Sequence, residues 1–179
     1  MRYLIVCGGK IDKEFGLNEI KTDGIDAIIA ADSGMDFLYE NGVTPDIIVG
    51  DFDSATTKAL EFFERKGQTE IHRLNPIKDD TDTEYAIRLA IREGARSIVL
   101  LGATGSRIDH VLGNISLLGI GLESGTDISI IDTNNRIRMA DKPVTIEKSA
   151  QYGRFVSLIA VTDDNEVSLR GFKYPVTDY

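Results

Sequence analysis

Up to residue 132, short apolar runs alternate with stretches whose apolar residues recur at helical spacing. Residues 3–7, 27–31, 47–49, 70–74, 97–101 and 128–131 read as strands, and several are continuous and rich in Ile and Val, as strands covered on both faces are. Between them, 33–41, 55–66, 81–93 and 108–123 have helical length. In the last of these Ile108, Val111, Leu112, Ile115, Leu118 and Leu122 trace one apolar stripe. Thr81-Asp82-Thr83-Glu84 has the form of a capping box. Strands alternating with helices predict an α/β fold, a mostly parallel sheet flanked by helices.

After Asp132 the helical spacing stops. Residues 136–139, 144–147, 155–161 and 166–172 read as strands, with turn signals at Asp141-Lys142-Pro143 and Asp163-Asp164-Asn165. The pattern predicts two units: an α/β domain over 1–132 and a small all-β domain over 133–179.

Composition narrows the function. Asp and Glu outnumber Lys and Arg by 29 to 20, a formal net charge of −9. A chain this acidic does not hold nucleic acid by neutralising phosphates, and an anionic membrane surface repels it. Any phosphate it handles calls for a divalent cation and a few placed basic groups. The single cysteine, Cys7, excludes an intramolecular disulfide framework and a multi-cysteine zinc site. The apolar run at Leu4–Cys7 is too short for the core of a secretory signal, and no stretch reaches the length of a membrane span. The expectation is a soluble, cytoplasmic protein.

In an open α/β sheet, ligands bind beyond the carboxyl ends of the strands, and here those ends carry aspartates. Asp32 follows 27–31, Asp51 and Asp53 follow 47–49, and Asp79, Asp80 and Asp82 follow 70–74. Asp109 and His110 come after 97–101, past the loop 102–107. Carboxylates brought to one rim repel one another unless a cation lies between them, and an all-oxygen donor set favours Mg²⁺, Mn²⁺ or Ca²⁺ over zinc. In an extended Gly50-Asp51-Phe52-Asp53-Ser54, both aspartates face one side, which leaves Ser54 to cap a helix from Ala55. The same residues also suit a plain loop and helix cap. Asp79, Asp80 and Asp82 complement a helix dipole, yet exceed what capping needs, and Lys78 beside them offers a phosphate contact. In the loop 102–107, Gly102 and Gly105 permit close backbone approach. The next helix adds amides, and Arg107 can pair an anion. The loop is neither a Walker A nor a dinucleotide fingerprint. His72 and Cys7 fit structural roles within strands.

Taken together, the chain resembles the thiamine pyrophosphokinase (thiamine diphosphokinase) family, bacterial type. The resemblance is carried by Ala31-Asp32-Ser33-Gly34, Pro45-Asp46, Gly50-Asp51-Phe52-Asp53-Ser54 and Lys78-Asp79-Asp80-Thr81-Asp82. It continues through Gly102-Ala103-Thr104-Gly105-Ser106-Arg107-Ile108-Asp109-His110 with Asn114, and Gly171-Phe172-Lys173-Tyr174-Pro175. It implies an α/β catalytic domain joined to a β-sandwich, working as a homodimer with active sites at the subunit interface. It also implies transfer of the pyrophosphoryl group of ATP to the hydroxyl of thiamine, Mg²⁺-dependent (Mn²⁺ in its place), leaving AMP. By the same resemblance Asp51, Asp53, Asp82 and Asp32 surround the metal. Lys78, Gly105, Ser106, Arg107, Asp109, His110 and Asn114 take the nucleotide, and Asp53 or Asp79 serves as base beside Asp82. Family members continue beyond the Lys-Tyr-Pro block, so the resemblance implies a sandwich incomplete at the C-terminus and thiamine contacts partly beyond Tyr179. A different acceptor alcohol, or a nucleotide- or thiamine-binding module without turnover, are the alternative readings.

Overall fold

The computed structural model describes residues 1–53, 55–75, 80–105, 107–163 and 165–177. The chain runs β1 (Arg2–Val6), α1 (Lys13–Ile20), β2 (Ala27–Ala31), α2 (Gly34–Glu40), β3 (Ile47–Gly50), α3 (Thr57–Lys66) and β4 (Glu70–Arg73). It continues through α4 (Asp82–Arg92), β5 (Ser97–Leu101), α5 (Ile108–Ser124), β6 (Asp127–Ile131) and β7 (Arg136–Arg138). The strands form one seven-stranded sheet in the order β4-β3-β2-β1-β5-β6-β7. All neighbours pair parallel except β6 and β7.

The period of two along each strand divides the core between the faces. Tyr3, Ile5, Ile29, Val49, Ile98, Leu100, Ile128 and Ile130 face one layer, where Ala86, Ile87, Leu89 and Ala90 of α4 and Leu118 of α5 cover them. Leu4, Val6, Ala30, Ile48, Val99 and Leu101 face the other, under Met35 and Leu38 of α2 and Ala59 and Phe63 of α3. Chain order explains the division. The sheet grows from β1 outward to β4, then α4 carries the chain back to β5 beside β1 and growth resumes the other way. With connections of one hand, helices before and after that reversal land on opposite faces.

The α/β architecture is the expected one, with local differences. The helix α1 is absent from the hydrophobic reading because Gly16 interrupts its spacing. Gly16 is buried where a Cβ would stand 2.6 Å from Ile11 and 2.7 Å from Phe37. The readable signal was Asp12, whose carboxylate accepts from the Phe15 N–H at 2.9 Å as an N-cap. The next departure is at α3, which starts at Thr57 and not at Ala55. Ser54 lies outside the described residues, and the Thr56 hydroxyl and N–H are both given to Asp36 of α2. The stripe on α5 divides: Leu118 is buried, whereas Ile108 and Leu112 in its first turns are exposed.

The largest departure lies beyond residue 133. Arg136–Arg138, expected as the first strand of a separate unit, forms the antiparallel edge β7 of the main sheet. Past it, the described residues hold a single 3-10 turn, Lys148–Ala150, and one isolated bridge between Leu169 and Val176. The segments 144–147, 155–161 and 166–172 make no ladder among the described residues. Alternation supplies a strand with an apolar face but not with a neighbour for its N–H and C=O groups, and an isolated pair is marginal in water.

Candidate active site

The sheet's order reverses between β1 and β5, and the crevice above that pair is where an open α/β sheet takes its ligand. Backbone crowding closes the bottom of the crevice. The Cys7 N–H donates to the Leu101 carbonyl at 2.7 Å and the Gly9 N–H to the Gly102 carbonyl at 2.9 Å. A Cβ on Gly9 would stand 2.3 Å from the Gly102 oxygen, and one on Gly34 would stand 2.0 Å from the Val6 oxygen. Gly102 itself has φ of +72°, which only glycine adopts without strain. These glycines let the loops after β1 and β5 close on each other and the start of α2 pack on the end of β1.

One side of the crevice is acidic. Asp32 ends β2, Asp51 follows β3, and Asp53 lies just beyond it. One carboxylate oxygen from each falls within 4.8 Å of the others. The backbone is bent to achieve this: Asp32 and Phe52 are the described non-glycine residues with positive φ, at 48° and 64°. Such conformations are held only where their surroundings insist on them, and they concentrate at functional sites. Phe52 is pinned by packing on Gly50 and by the Arg73 guanidinium, 5.3 Å from its ring centre. The Asp53 N–H donates to Asp51 at 3.2 Å, which tightens the turn. The donors are three hard anionic oxygens, the set that suits Mg²⁺ or Mn²⁺. Three clustered carboxylates fit a divalent cation.

Asp82 is not a member of that cluster among the described residues. It is the first residue of α4, after Thr81, whose hydroxyl accepts from the Glu84 N–H at 3.1 Å. Only half of the expected capping box forms, because the Glu84 carboxylate turns to Arg88 at 2.7 Å. The Thr83 hydroxyl, 3.7 Å from the Cys7 sulfur, sets this end of α4 over the end of β1. Burial pushes the Cys7 thiol up to about 11, so it behaves as a small apolar residue. His72 is held by Tyr85 at 3.2 Å and Glu70 at 2.6 Å. Lys78, Asp79 and Ser106 lie outside the described residues.

The other side of the crevice is the loop from β5 to α5. Gly105 lies against Gly9, at 3.7 Å from a built Cβ to its Cα. Arg107 and Asp109 pair at 2.6 Å, both exposed. The Arg107 guanidinium beside Asp109, helped by the His110 N–H, holds that carboxyl below its ordinary range. An exposed pair of this kind adds little stability and opens readily to a competing anion. The His110 side chain is exposed at the start of α5. Asn114 reaches back and donates to the Ala103 carbonyl at 2.8 Å, so within this fold it braces the loop.

Two carboxylates escaped the sequence reading. Asp36 ties α2 to the turn after the acidic cluster, and no sequence signal marks it because Thr56 lies 20 residues away. Asp132 follows β6 as Asp32 follows β2, and that same rule would have found it.

A mostly parallel sheet carrying a carboxylate cluster and glycine turns over its point of reversal has the form of a ligand-binding α/β domain. Residues 21–130 match the family model of the thiamin pyrophosphokinase catalytic domain, and 143–179 that of the thiamin pyrophosphokinase vitamin B1 binding domain. A thiamine pyrophosphokinase of Bacillus subtilis is 36% identical over 152 residues, covering 84% of this chain and 70% of the relative. The solved Bacillus subtilis thiamine pyrophosphokinase superposes with a TM-score of 0.66 at 31% identity, over 77% of this chain and 63% of that one. A thiamin pyrophosphokinase family protein of Enterococcus faecalis superposes with a TM-score of 0.71 at 26% identity, over 100% of this chain and 84% of that one. The chain belongs to the thiamine pyrophosphokinase family. Among the described residues no helix is long and apolar enough to cross a membrane.

Proposed function

We propose that this chain transfers the pyrophosphoryl group of ATP to the hydroxyl of thiamine, releasing AMP, with Mg²⁺ at the aspartate cluster. The observation that carries the reading is the convergence of Asp32, Asp51 and Asp53 beside the glycine-lined crevice, in a member of this family. Transfer of this kind asks a protein for positioning and charge neutralisation more than for covalent chemistry. A bound Mg²⁺ supplies neutralisation of the phosphate oxygens. Asp51 and Asp53, with Asp32 behind them and Asp82 from α4, would hold it. The backbone at Gly105 and Ser106 would cradle the phosphates, and Lys78 and Arg107 would pair them. Arg107 would exchange Asp109 for the triphosphate, leaving Asp109 and His110 toward the rest of the nucleotide. Asn114 would act through the loop it braces. Asp53 or Asp79 would take the proton of the thiamine hydroxyl.

The vitamin B1 binding region, 143–179, would bring thiamine to this rim, in a homodimer and in the cytoplasm. Exposed apolar residues there, among them Phe155 and Ile159, and Ile108 and Leu112 on α5, support a partner surface.

The test is AMP release from ATP by the 179-residue chain, with and without thiamine and Mg²⁺. The expected result is AMP only when both are present. Thiamine-independent AMP, or AMP with another acceptor alcohol alone, would overturn the acceptor. Mg²⁺·ATP binding with no AMP under any condition would turn the reading to a binding module.

A further inference from the structure

The Asp132 carboxylate at the site's rim accepts hydrogen bonds from Thr104, Asn134 and Asn135, and the proposed transfer gives it no role. It stands at the end of β6, next to β5 in the sheet. Its Oδ1 accepts from the N–H groups of Asn134 at 2.8 Å and Asn135 at 2.7 Å. The Asn135 side chain donates to both oxygens, at 3.0 and 3.2 Å. Its Oδ2 also accepts from the Thr104 hydroxyl at 2.9 Å. The main chain adds one more link, since the Tyr152 hydroxyl donates to the Asp132 carbonyl at 2.5 Å. Burial opposes ionisation here, but these donors outweigh it and hold the carboxyl below its ordinary range.

The partners give this knot its meaning. Thr104 precedes Gly105 and Arg107 in the loop that closes the crevice. Asn114 holds Ala103 of the same loop from the other side. Asn134 and Asn135 form the turn into β7, and Tyr152 belongs to the region matching the vitamin B1 binding domain. The Asp132 carboxylate therefore fastens the nucleotide loop to a rigid strand end and to the turn into β7, while its carbonyl takes the segment that follows the sheet.

We propose that Asp132 is a positioning residue for nucleotide binding: through Thr104 it holds the loop between β5 and α5 in the form that receives the phosphates of ATP. The proposal rests on the reading of this crevice as the Mg²⁺·ATP site. A loop left to find its bound form on binding loses affinity by the ordering it must then undergo. A bond from a hydroxyl to a carboxylate is strong enough to change affinity roughly tenfold.

The test is calorimetric titration of the whole chain with Mg²⁺·ATP, alongside thermal unfolding. Thr104→Val removes only the link from Asp132 to the loop and leaves the turn intact. It is expected to weaken Mg²⁺·ATP binding roughly tenfold with a small change in Tm, and Thr104→Ser is expected to restore it. Asp132→Ala is expected to weaken binding at least as much, and adding Thr104→Val to it is expected to weaken binding no further. An unchanged Kd in Thr104→Val, or losses that simply add in the double variant, would overturn the proposal while the site reading stands. Failure of the unaltered chain to bind Mg²⁺·ATP would overturn both. Where turnover is measured, the KM for ATP is expected to rise and that for thiamine to hold.

Discussion

The sheet and the segment beyond it use similar residues to opposite effect. In β1, Leu4, Ile5 and Val6 are at most 1% exposed, while in the later segment Phe155, Ile159 and Tyr174 are 82%, 85% and 74% exposed. Residues 155–161 are as apolar as β1. What separates them is the presence of neighbours: β1 has a strand on each side and helices on both faces. Apolar sequence makes a strand only where the topology supplies ladder partners and a cover, and that supply ends among the described residues at β7. The difference also locates chemistry, because loops are held to a definite shape only where they leave the rigid part of the molecule.

The sharpest break in that comparison comes from the acidic rim. Asp51→Asn is expected to lower thiamine-dependent AMP formation by roughly a thousandfold, the scale of a lost metal contact at a transferring phosphoryl group. Without Mg²⁺ the same variant is expected to unfold at the same or a higher temperature, since a mutual repulsion is relieved. Near-normal turnover would sink the metal assignment. Next in size, Phe63→Ala on the buried face of α3 is expected to reduce unfolding free energy by about 3–5 kcal/mol, read by urea denaturation. Gly9→Ala forces a methyl group against the Gly102 carbonyl and is expected to cost about 1–3 kcal/mol, with weakened nucleotide binding in the same titration.

A smaller effect follows from Asp132. Its folded value is depressed, so its contribution is complete above the ordinary aspartate value of 3.8 and is lost as pH falls below that through the folded value. The stability gap between the unaltered chain and Asp132→Asn is therefore expected to hold above the ordinary value of 3.8 and to narrow as pH falls below it. The smallest effect closes the comparison. Ile159→Ala is expected to change stability of the isolated protomer by less than about 0.5 kcal/mol, against the several lost at Phe63.

Much of the fold was legible because it rests on local pattern. Buried parallel strands read as continuous Ile and Val runs, and all six expected before residue 132 occur within a residue of their predicted limits at each end. Helix α1 was missed because a glycine required for packing on Phe37 breaks the spacing that marks a helix. The acidic site was legible in kind, from carboxylates placed after strands. Its membership was not: Asp32, Asp51 and Asp53 meet only because β2 and β3 are parallel neighbours in one register. Asn114 read as a nucleotide residue, and the fold adds that it braces the Ala103 carbonyl, a contact across 11 positions that no spacing rule announces.

By itself, then, the sequence determined the alternation of strand and helix, the acidic balance and the kind of residue waiting at each strand end. Those follow from side-chain period and composition, which the chain carries wherever it goes. The tertiary structure alone decided which of those residues share a crevice, that β7 joins the main sheet, and that Asp132 ties three segments together. Such outcomes depend on strand order and loop crossing, and these arise from burying both faces of one sheet at once.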